Sequence, residues 1–171
     1  AMELLLQRLS EAGVAEKTVI ALSPDHPPYG LQTSSVGELI GHEVDREFEY
    51  YKSTLILYNP GMEPQEIDKP CCSLDLLPTL SNLFNLTYDS RLLMGHDVFS
   101  DASPLVLLGD RSWMTDAVQF SSNRNEAVSL ISETVDAVYV EAMNKQIADQ
   151  IIYSEKILDA DYYRLLLGEG E

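Results

Sequence analysis

The sequence predicts an α/β fold: a mostly parallel sheet flanked by helices, then a C-terminal antiparallel hairpin and a long helix. Two short apolar runs, TVIAL at residues 18–22 and STLILY at 53–58, have the composition of strands buried on both faces. A helical pattern precedes the first run, which makes an αβ unit. A second helical pattern, with apolar residues every three or four positions, lies near the C-terminus.

Glycines mark the ends of the first two predicted helices. Residues 2–12 carry leucines at positions 4, 5, 6 and 9, and Gly13 follows as a natural C-cap. One of the hydroxyl residues at 33–35 is expected to cap a short helix that runs through Ile40 and ends at Gly41. The first strand therefore lies between two helices.

Three further elements are predicted in the middle of the chain. Asn59, Pro60 and Gly61 form a turn signal that stops the second apolar run. Residues 73–83 predict a helix with Ser73 as its N-cap and a proline in or near its first turn. Residues 105–108 are a third candidate for a buried strand.

The C-terminal third predicts a hairpin and then a helix. Residues 112–120 and 127–131 alternate loosely and predict antiparallel strands, with a turn near 123–125. A strand or hairpin turn also explains Thr115 and Asp116. One long helix is predicted from an apolar stripe formed by Val140, Met143, Ile147, Ile151, Ser154 and Leu158. The tail at 168–171 is expected to fray.

Composition sets the class of the protein. The 171 residues suit a single domain over 1–171, and no run of about 18 apolar residues is present that could span a bilayer. The formal net charge of −17, from 28 acidic and 11 basic residues, argues against nucleic acid as a partner. It also disfavours attraction to an anionic membrane surface by charge alone.

The best candidate site is the pair Asp25 and His26, which follows the first predicted strand directly. In open α/β sheets ligands bind beyond the carboxyl ends of strands, and a carboxylate with an imidazole suits a divalent cation. Pro27 and Pro28 then stiffen the loop. The alternative is structural, with Asp25 capping a turn and His26 making one hydrogen bond.

The remaining candidates are weaker. His42 and His96 are expected to be exposed loop histidines, although the acidic neighbours of His42 leave a metal-related role open. Cys71 and Cys72 are adjacent, which disfavours a disulfide between them, and their spacing does not suggest a zinc site.

Several motifs in order resemble one family. They are SPDHPPYGL, YKSTLILYNPGM, IDKP, SLDLLPTLSNLFNL, LLMGHDVFS and DRSWMTD, between about residues 18 and 116, and DADYYR farther on is also similar. Together they resemble the C-terminal part of lipoteichoic-acid-synthase-type phosphoglycerol transferases, in the alkaline phosphatase and sulfatase superfamily.

The resemblance implies a partial alkaline-phosphatase-like fold at the extracellular face of the cell membrane, tethered by N-terminal membrane helices. It implies transfer of a glycerophosphate group from a phosphatidylglycerol-type lipid through a threonine nucleophile, with bound manganese or magnesium. Carried over to this chain, it makes Asp25 and His26 metal ligands.

The resemblance also implies that the rest of the active site precedes this segment. The nucleophile, an acidic metal ligand and the phosphate-binding residues are expected upstream, so no catalytic or cofactor-binding residue is assigned here. The chain, in which Ala1 precedes Met2, is thus expected to be an inactive C-terminal fragment of a larger catalytic domain. Pro24 stands where many relatives have a small, flexible residue, and Pro27 follows the pair, so the loop backbone is expected to differ.

Two other functions stay open at this point. One is a phosphatase, sulfatase or phosphomutase of the same superfamily, because upstream residues set the substrate. The other is a non-catalytic interaction module in which Asp25 and His26 are only structural.

Overall fold

The computed structural model describes residues 1–168 of a mixed α/β chain, which divides into two compact units, Ala1–Glu66 and Ile67–Glu171. The first unit contains α1 (Met2–Glu11), β1 (Ile20–Leu22), α2 (Thr33–Ile40) and β2 (Ile56–Tyr58). The second contains α3 (Leu76–Leu83), β3 (Val106–Leu107), β4 (Trp113–Met114), β5 (Val118–Ser121), β6 (Glu126–Ser129), α4 (Ala137–Asp159) and α5 (Tyr162–Leu167). The tail that is expected to fray, 168–171, lies outside the described residues except for Gly168.

The two helices of the first unit are confirmed, together with the glycines that end them. Gly13 has a φ of +67° and donates its N–H to the Ser10 carbonyl at 2.9 Å. Gly41, at the end of α2, has a φ of +87°. The predicted hydroxyl cap of α2 is wrong, because residues 33–35 already lie in the helix and Gln32 takes the N-cap position without a side-chain bond.

Strands β1 and β2 pair with each other in antiparallel orientation, with Ile20 opposite Tyr58 and Leu22 opposite Ile56. The side chain of Asn59 accounts for this direction, because it donates to the carbonyls of Glu16 and Thr18 at 3.0 and 2.9 Å. These bonds hold the end of β2 beside the start of β1. All strand pairings among residues 1–168 are antiparallel, so the mostly parallel sheet that the sequence predicts is not seen there.

The prediction that the first two strands are buried on both faces is also wrong for the described chain. In β1 only Ile20 is half-buried, and in β2 Ile56 and Tyr58 are 49% and 41% exposed. The side chains of a strand point to the two faces of its sheet, and they become buried only where helices or another sheet pack on those faces. Apolar composition therefore identified the strands but not their surroundings.

The second unit contains a four-stranded antiparallel sheet in the order β3-β4-β5-β6. The predicted C-terminal hairpin is present as β5 and β6, with Val118 opposite Ser129. The predicted strand at 112–120 is in fact two strands, because the chain turns after β4. The Thr115 hydroxyl accepts hydrogen bonds from the N–H groups of Ala117 and Val118 in this turn. The strand expected at 105–108 is the half-buried edge strand β3.

Helix α4 confirms the predicted long helix and packs its apolar stripe on this sheet. Ile147 is buried in one cluster with Trp113, Val118 and Phe120. Partly buried residues pack around that cluster, among them Leu105, Leu107, Val140, Met143 and Ile151. Leu158, at the far end of the stripe, is exposed.

Trp113 is the centre of this core, with no exposed surface. Its ring stacks on Phe120 with 5.6 Å between centroids, and its Nε1 donates to the Asn144 Oδ1 at 2.8 Å. Replacement of Trp113 by alanine is expected to lower the free energy of unfolding by about 3–5 kcal/mol, because it leaves a cavity and an unpaired amide. Chemical denaturation measures this loss.

The control for that measurement is Leu158→Ala, which truncates an exposed residue of α4 and should change the free energy of unfolding by less than about 0.5 kcal/mol. Equal effects of the two substitutions would contradict the assignment of the core.

The capping of the segment predicted as a helix at 73–83 differs from the prediction. Cys72, rather than Ser73, is the N-cap of a 3₁₀ turn that precedes α3, and its N–H donates to the Asp75 Oδ2 at 2.8 Å. The N-cap of α3 itself is Asp75. Residues Ser73–Asp75 form a 3₁₀ turn before α3. Pro78 is the third residue of α3, so its missing N–H falls in the first turn as expected.

Candidate metal site at the end of strand β1

Asp25 and His26 lie in the loop that follows β1, and both are open to solvent. The Asp25 side chain is 87% exposed and that of His26 is 53% exposed. The His26 Nε2 lies 3.5 Å from the Asp25 Oδ1. The structure therefore brings the two sequence-predicted ligands together, with their donor atoms facing each other.

A hydrogen bond to the backbone sets the tautomer of His26. Its Nδ1 is 2.8 Å from the Pro27 carbonyl, which can only accept, so Nδ1 carries the proton. In the neutral ring the lone pair is then on Nε2, the atom nearest Asp25. Histidines that bind metals commonly donate their other nitrogen to a backbone carbonyl in this way.

The loop is shaped by short-range bonds and by one distant tyrosine. The N–H of Tyr29 donates to the Pro27 carbonyl and that of Leu31 to the Pro28 carbonyl, both at 2.8 Å. The Tyr29 ring stacks on His26 with 4.9 Å between centroids and 23° between planes. The hydroxyl of Tyr50, 22 positions away from Pro28, donates to the Pro28 carbonyl at 3.1 Å.

The distance between the two donor atoms fits a shared cation. Two ligands that bind one ion at about 2.0–2.2 Å are separated by about 2.8–3.1 Å in octahedral geometry and by about 3.3–3.6 Å in tetrahedral geometry. The observed 3.5 Å lies in the tetrahedral range and would have to close by about 0.4–0.7 Å for an octahedral ion. Without a cation the same pair is an exposed ion pair when His26 is protonated, which contributes about 0–1 kcal/mol to stability.

The pair supplies two ligands, and a catalytic metal usually has three or more from the protein. Within residues 1–168, no group of three or more histidine, cysteine, aspartate or glutamate side chains is placed to hold a metal ion. Other groups would therefore have to complete the coordination.

The other two histidines lie in different surroundings, and both are exposed. The Nε2 of His42 is 2.5 Å from the Glu49 Oε1, and this hydrogen bond, followed by one from the Asp45 N–H, holds the pKa of Glu49 below its usual value. His96 uses its backbone N–H to bond the Asp75 Oδ1 at 2.8 Å. Neither histidine joins the Asp25–His26 pair.

The adjacent cysteines are free thiols, Cys71 exposed and Cys72 half-buried. Burial raises the pKa of both thiols, so a smaller fraction of each is in the nucleophilic thiolate form than for an ordinary cysteine.

Sequence reasoning missed Tyr29 and Tyr50 as parts of the site. Tyr29 could have been noticed, since it follows His26 by three residues. Tyr50 lies in the charged stretch HEVDREFEYY at 42–51, and nothing in its local pattern connects it with residue 28.

The second unit has an open groove of about 470 Å³ between the sheet and the start of α4. Its lining includes Phe120, Asn125, Ala127, Val135, Val140 and Glu141. The groove holds none of the residues that the sequence singles out as site candidates.

Comparison with known proteins finds no matching protein family and no matching curated protein. Among the helices of residues 1–168, none combines the length and the apolar character that crossing a membrane requires. The sequence motifs and the geometry of the loop after β1 are the features of the chain that bear on its function.

Proposed function

We propose that this chain is the C-terminal portion of a metal-dependent phosphoglycerol transferase of the sulfatase-like type, which acts on phosphatidylglycerol-type lipids at the extracellular face of the cell membrane. The observation that supports this most is the 3.5 Å approach of the His26 Nε2 and the Asp25 Oδ1 at the open end of β1. The ordered motifs from SPDHPPYGL to DRSWMTD supply the reaction class.

In this proposal the two side chains hold one side of a manganese or magnesium site. His26 offers the Nε2 lone pair, because its Nδ1 proton is committed to the Pro27 carbonyl. Asp25 offers a carboxylate oxygen and negative charge, which a hard divalent cation prefers. When bound, the cation lowers the pKa of the nucleophilic hydroxyl and neutralises charge on the transferred phosphoryl group.

The exposed ribbon of the first unit is consistent with a larger catalytic domain. Leu22, Ile56 and Tyr58 are apolar residues on a two-stranded ribbon that leaves them uncovered. Further strands beside β1 and β2 would extend the ribbon into the larger alkaline-phosphatase-like sheet, and helices packed on the faces of that sheet would cover them. We propose that both units of the chain belong to that domain, tethered by membrane helices upstream.

The proposal predicts how the isolated chain behaves. Because two ligands do not close a catalytic site, calorimetric titration with Mn²⁺ should give weak binding, with a dissociation constant on the order of 0.1–1 mM or above. The chain should not cleave phosphodiesters, since it has no assigned nucleophile. Tight binding, or phosphodiesterase turnover by residues 1–171 alone, would contradict the proposal that other parts of the enzyme complete the site.

A further inference from the structure

We infer that Tyr50 is a positioning residue for the candidate metal site: its hydroxyl anchors the loop after β1 so that Asp25 and His26 face each other. The inference rests on the proposed cation site and adds a residue to it. The contacts that support it join Tyr50 to His26 in three steps.

The first step is the anchor itself. The Tyr50 hydroxyl lies 3.1 Å from the Pro28 carbonyl and 3.5 Å from the Leu31 carbonyl, so its single proton is directed at the turn that follows His26. Tyr50 is itself fixed, because its N–H donates to the Asp45 carbonyl at 2.9 Å and its ring meets the Tyr51 ring edge-on.

The second step passes through one peptide bond. The Pro28 carbonyl that accepts from Tyr50 belongs to the peptide group joining Pro28 to Tyr29. Since a peptide group is planar, fixing its oxygen also restricts where the Tyr29 backbone can lie. The N–H of Tyr29 is held at the same time by the Pro27 carbonyl.

The third step is the ring contact. Tyr29 stacks on the His26 imidazole, and its own side chain is otherwise largely open to solvent, with the whole residue 71% exposed. The bonds inside the loop span three residues or fewer and can move together with it. The Tyr50 hydroxyl ties the loop to a distant part of the unit, so it limits the positions that the imidazole can take.

A cation binds more tightly to two donors that are already in place, because less conformational freedom is lost on binding. Residues that orient metal ligands typically change metal affinity by about 10–100-fold when they are removed. For this exposed loop, Tyr50→Phe is expected to weaken Mn²⁺ binding at His26 by about 10-fold.

The test uses NMR titration of the chain with Mn²⁺, which broadens the imidazole signals of a histidine that lies near the ion. Three proteins are compared: the unaltered chain, Tyr50→Phe and Tyr51→Phe. Tyr51→Phe is the control: it removes the hydroxyl of the neighbouring ring, which makes no hydrogen bond to the loop among the described residues. Tyr50→Phe keeps the ring, and backbone contacts between β1 and β2 report that the unit remains folded.

A third variant, Tyr29→Leu, breaks the same connection at an exposed position and should weaken binding to a similar extent. The expected result is that both Tyr50→Phe and Tyr29→Leu need about 10-fold more Mn²⁺ to broaden His26, while Tyr51→Phe matches the unaltered chain. If the unaltered chain binds and Tyr50→Phe binds equally well, the positioning role is wrong and the cation site stands. If His26 of the unaltered chain does not respond to Mn²⁺, the cation site itself is overturned, and the inference with it.

Discussion

On the proposed function, substitution of Asp25 or His26 by alanine in a protein that also contains the proposed upstream part of the active site is expected to lower the proposed phosphoglycerol transfer by about 100-fold or more. Each substitution removes one donor atom from the cation site, and the remaining donor cannot hold the ion in place. The measurement is the transfer of labelled glycerophosphate from phosphatidylglycerol in vesicles. Because the loss is one of metal binding, excess Mn²⁺ should restore part of the activity, which a folding defect would not allow.

The matched control for His26→Ala is His42→Ala. His42 is also an exposed histidine of the first unit, but it pairs with Glu49 and lies outside the candidate site. Its loss should leave transfer within about twofold of the unaltered protein, as expected for surface substitutions away from a site. Full activity in the Asp25→Ala and His26→Ala proteins would instead favour a purely structural loop.

Gly95→Ala is expected to destabilise the second unit by about 3 kcal/mol, through overpacking against a rigid backbone. A Cβ atom at Gly95 would lie 2.1 Å from the Leu74 carbonyl oxygen and 2.7 Å from the Asp75 nitrogen. Backbone atoms at the start of a helix cannot move aside cheaply, so the segment around residue 95 would have to shift.

That shift would also break the hydrogen bonds of a buried carboxylate. Asp75 is 6% exposed and accepts from the N–H groups of Cys72 and His96, each at 2.8 Å. Displacing residue 96 would leave one of these groups buried without a partner. Urea denaturation should show the loss as a lower midpoint with an unchanged slope.

Gly109→Ala provides the control, because a Cβ atom there meets nothing within 4 Å. We expect it to change stability by less than about 1 kcal/mol. A Gly95→Ala protein as stable as the Gly109→Ala protein would show that the approach between residues 74 and 95 is not needed for the fold.

Elements governed by local signals could be predicted from the sequence. Helix α1 and its terminal Gly13 are encoded by neighbouring residues, and α4 by the three-and-four spacing of its apolar stripe. Strand direction could not be predicted, because the Asn59 side chain holds the end of β2 beside the start of β1 through carbonyls more than 40 positions away. The turn at Thr115 between β4 and β5 was not predicted, because the alternation of residues 112–120 is loose and carries no clear signal of a break.

In the candidate site too, features set by neighbouring residues could be predicted and features set by distant residues could not. The position of Asp25 and His26 after a strand could be predicted from the sequence, because the apolar run, the pair and the prolines around it follow one another closely in the chain. Their mutual geometry depends on the Pro27 carbonyl and on Tyr29 and Tyr50, whose contacts appear only once the chain is folded. The burial of β1 could not be predicted either, since composition does not say which elements pack on its faces.

We expect Asp25 and His26 to bind a divalent cation together. The other two histidines of the chain, His42 and His96, serve as internal controls for the response of His26. Mn²⁺ is added to the unaltered chain, and the imidazole signals of all three are followed by NMR. The account predicts that His26 broadens at lower Mn²⁺ than His42 and His96, and that Asp25→Ala abolishes this difference. Equal broadening of the three histidines, or a response that persists without Asp25, would contradict it.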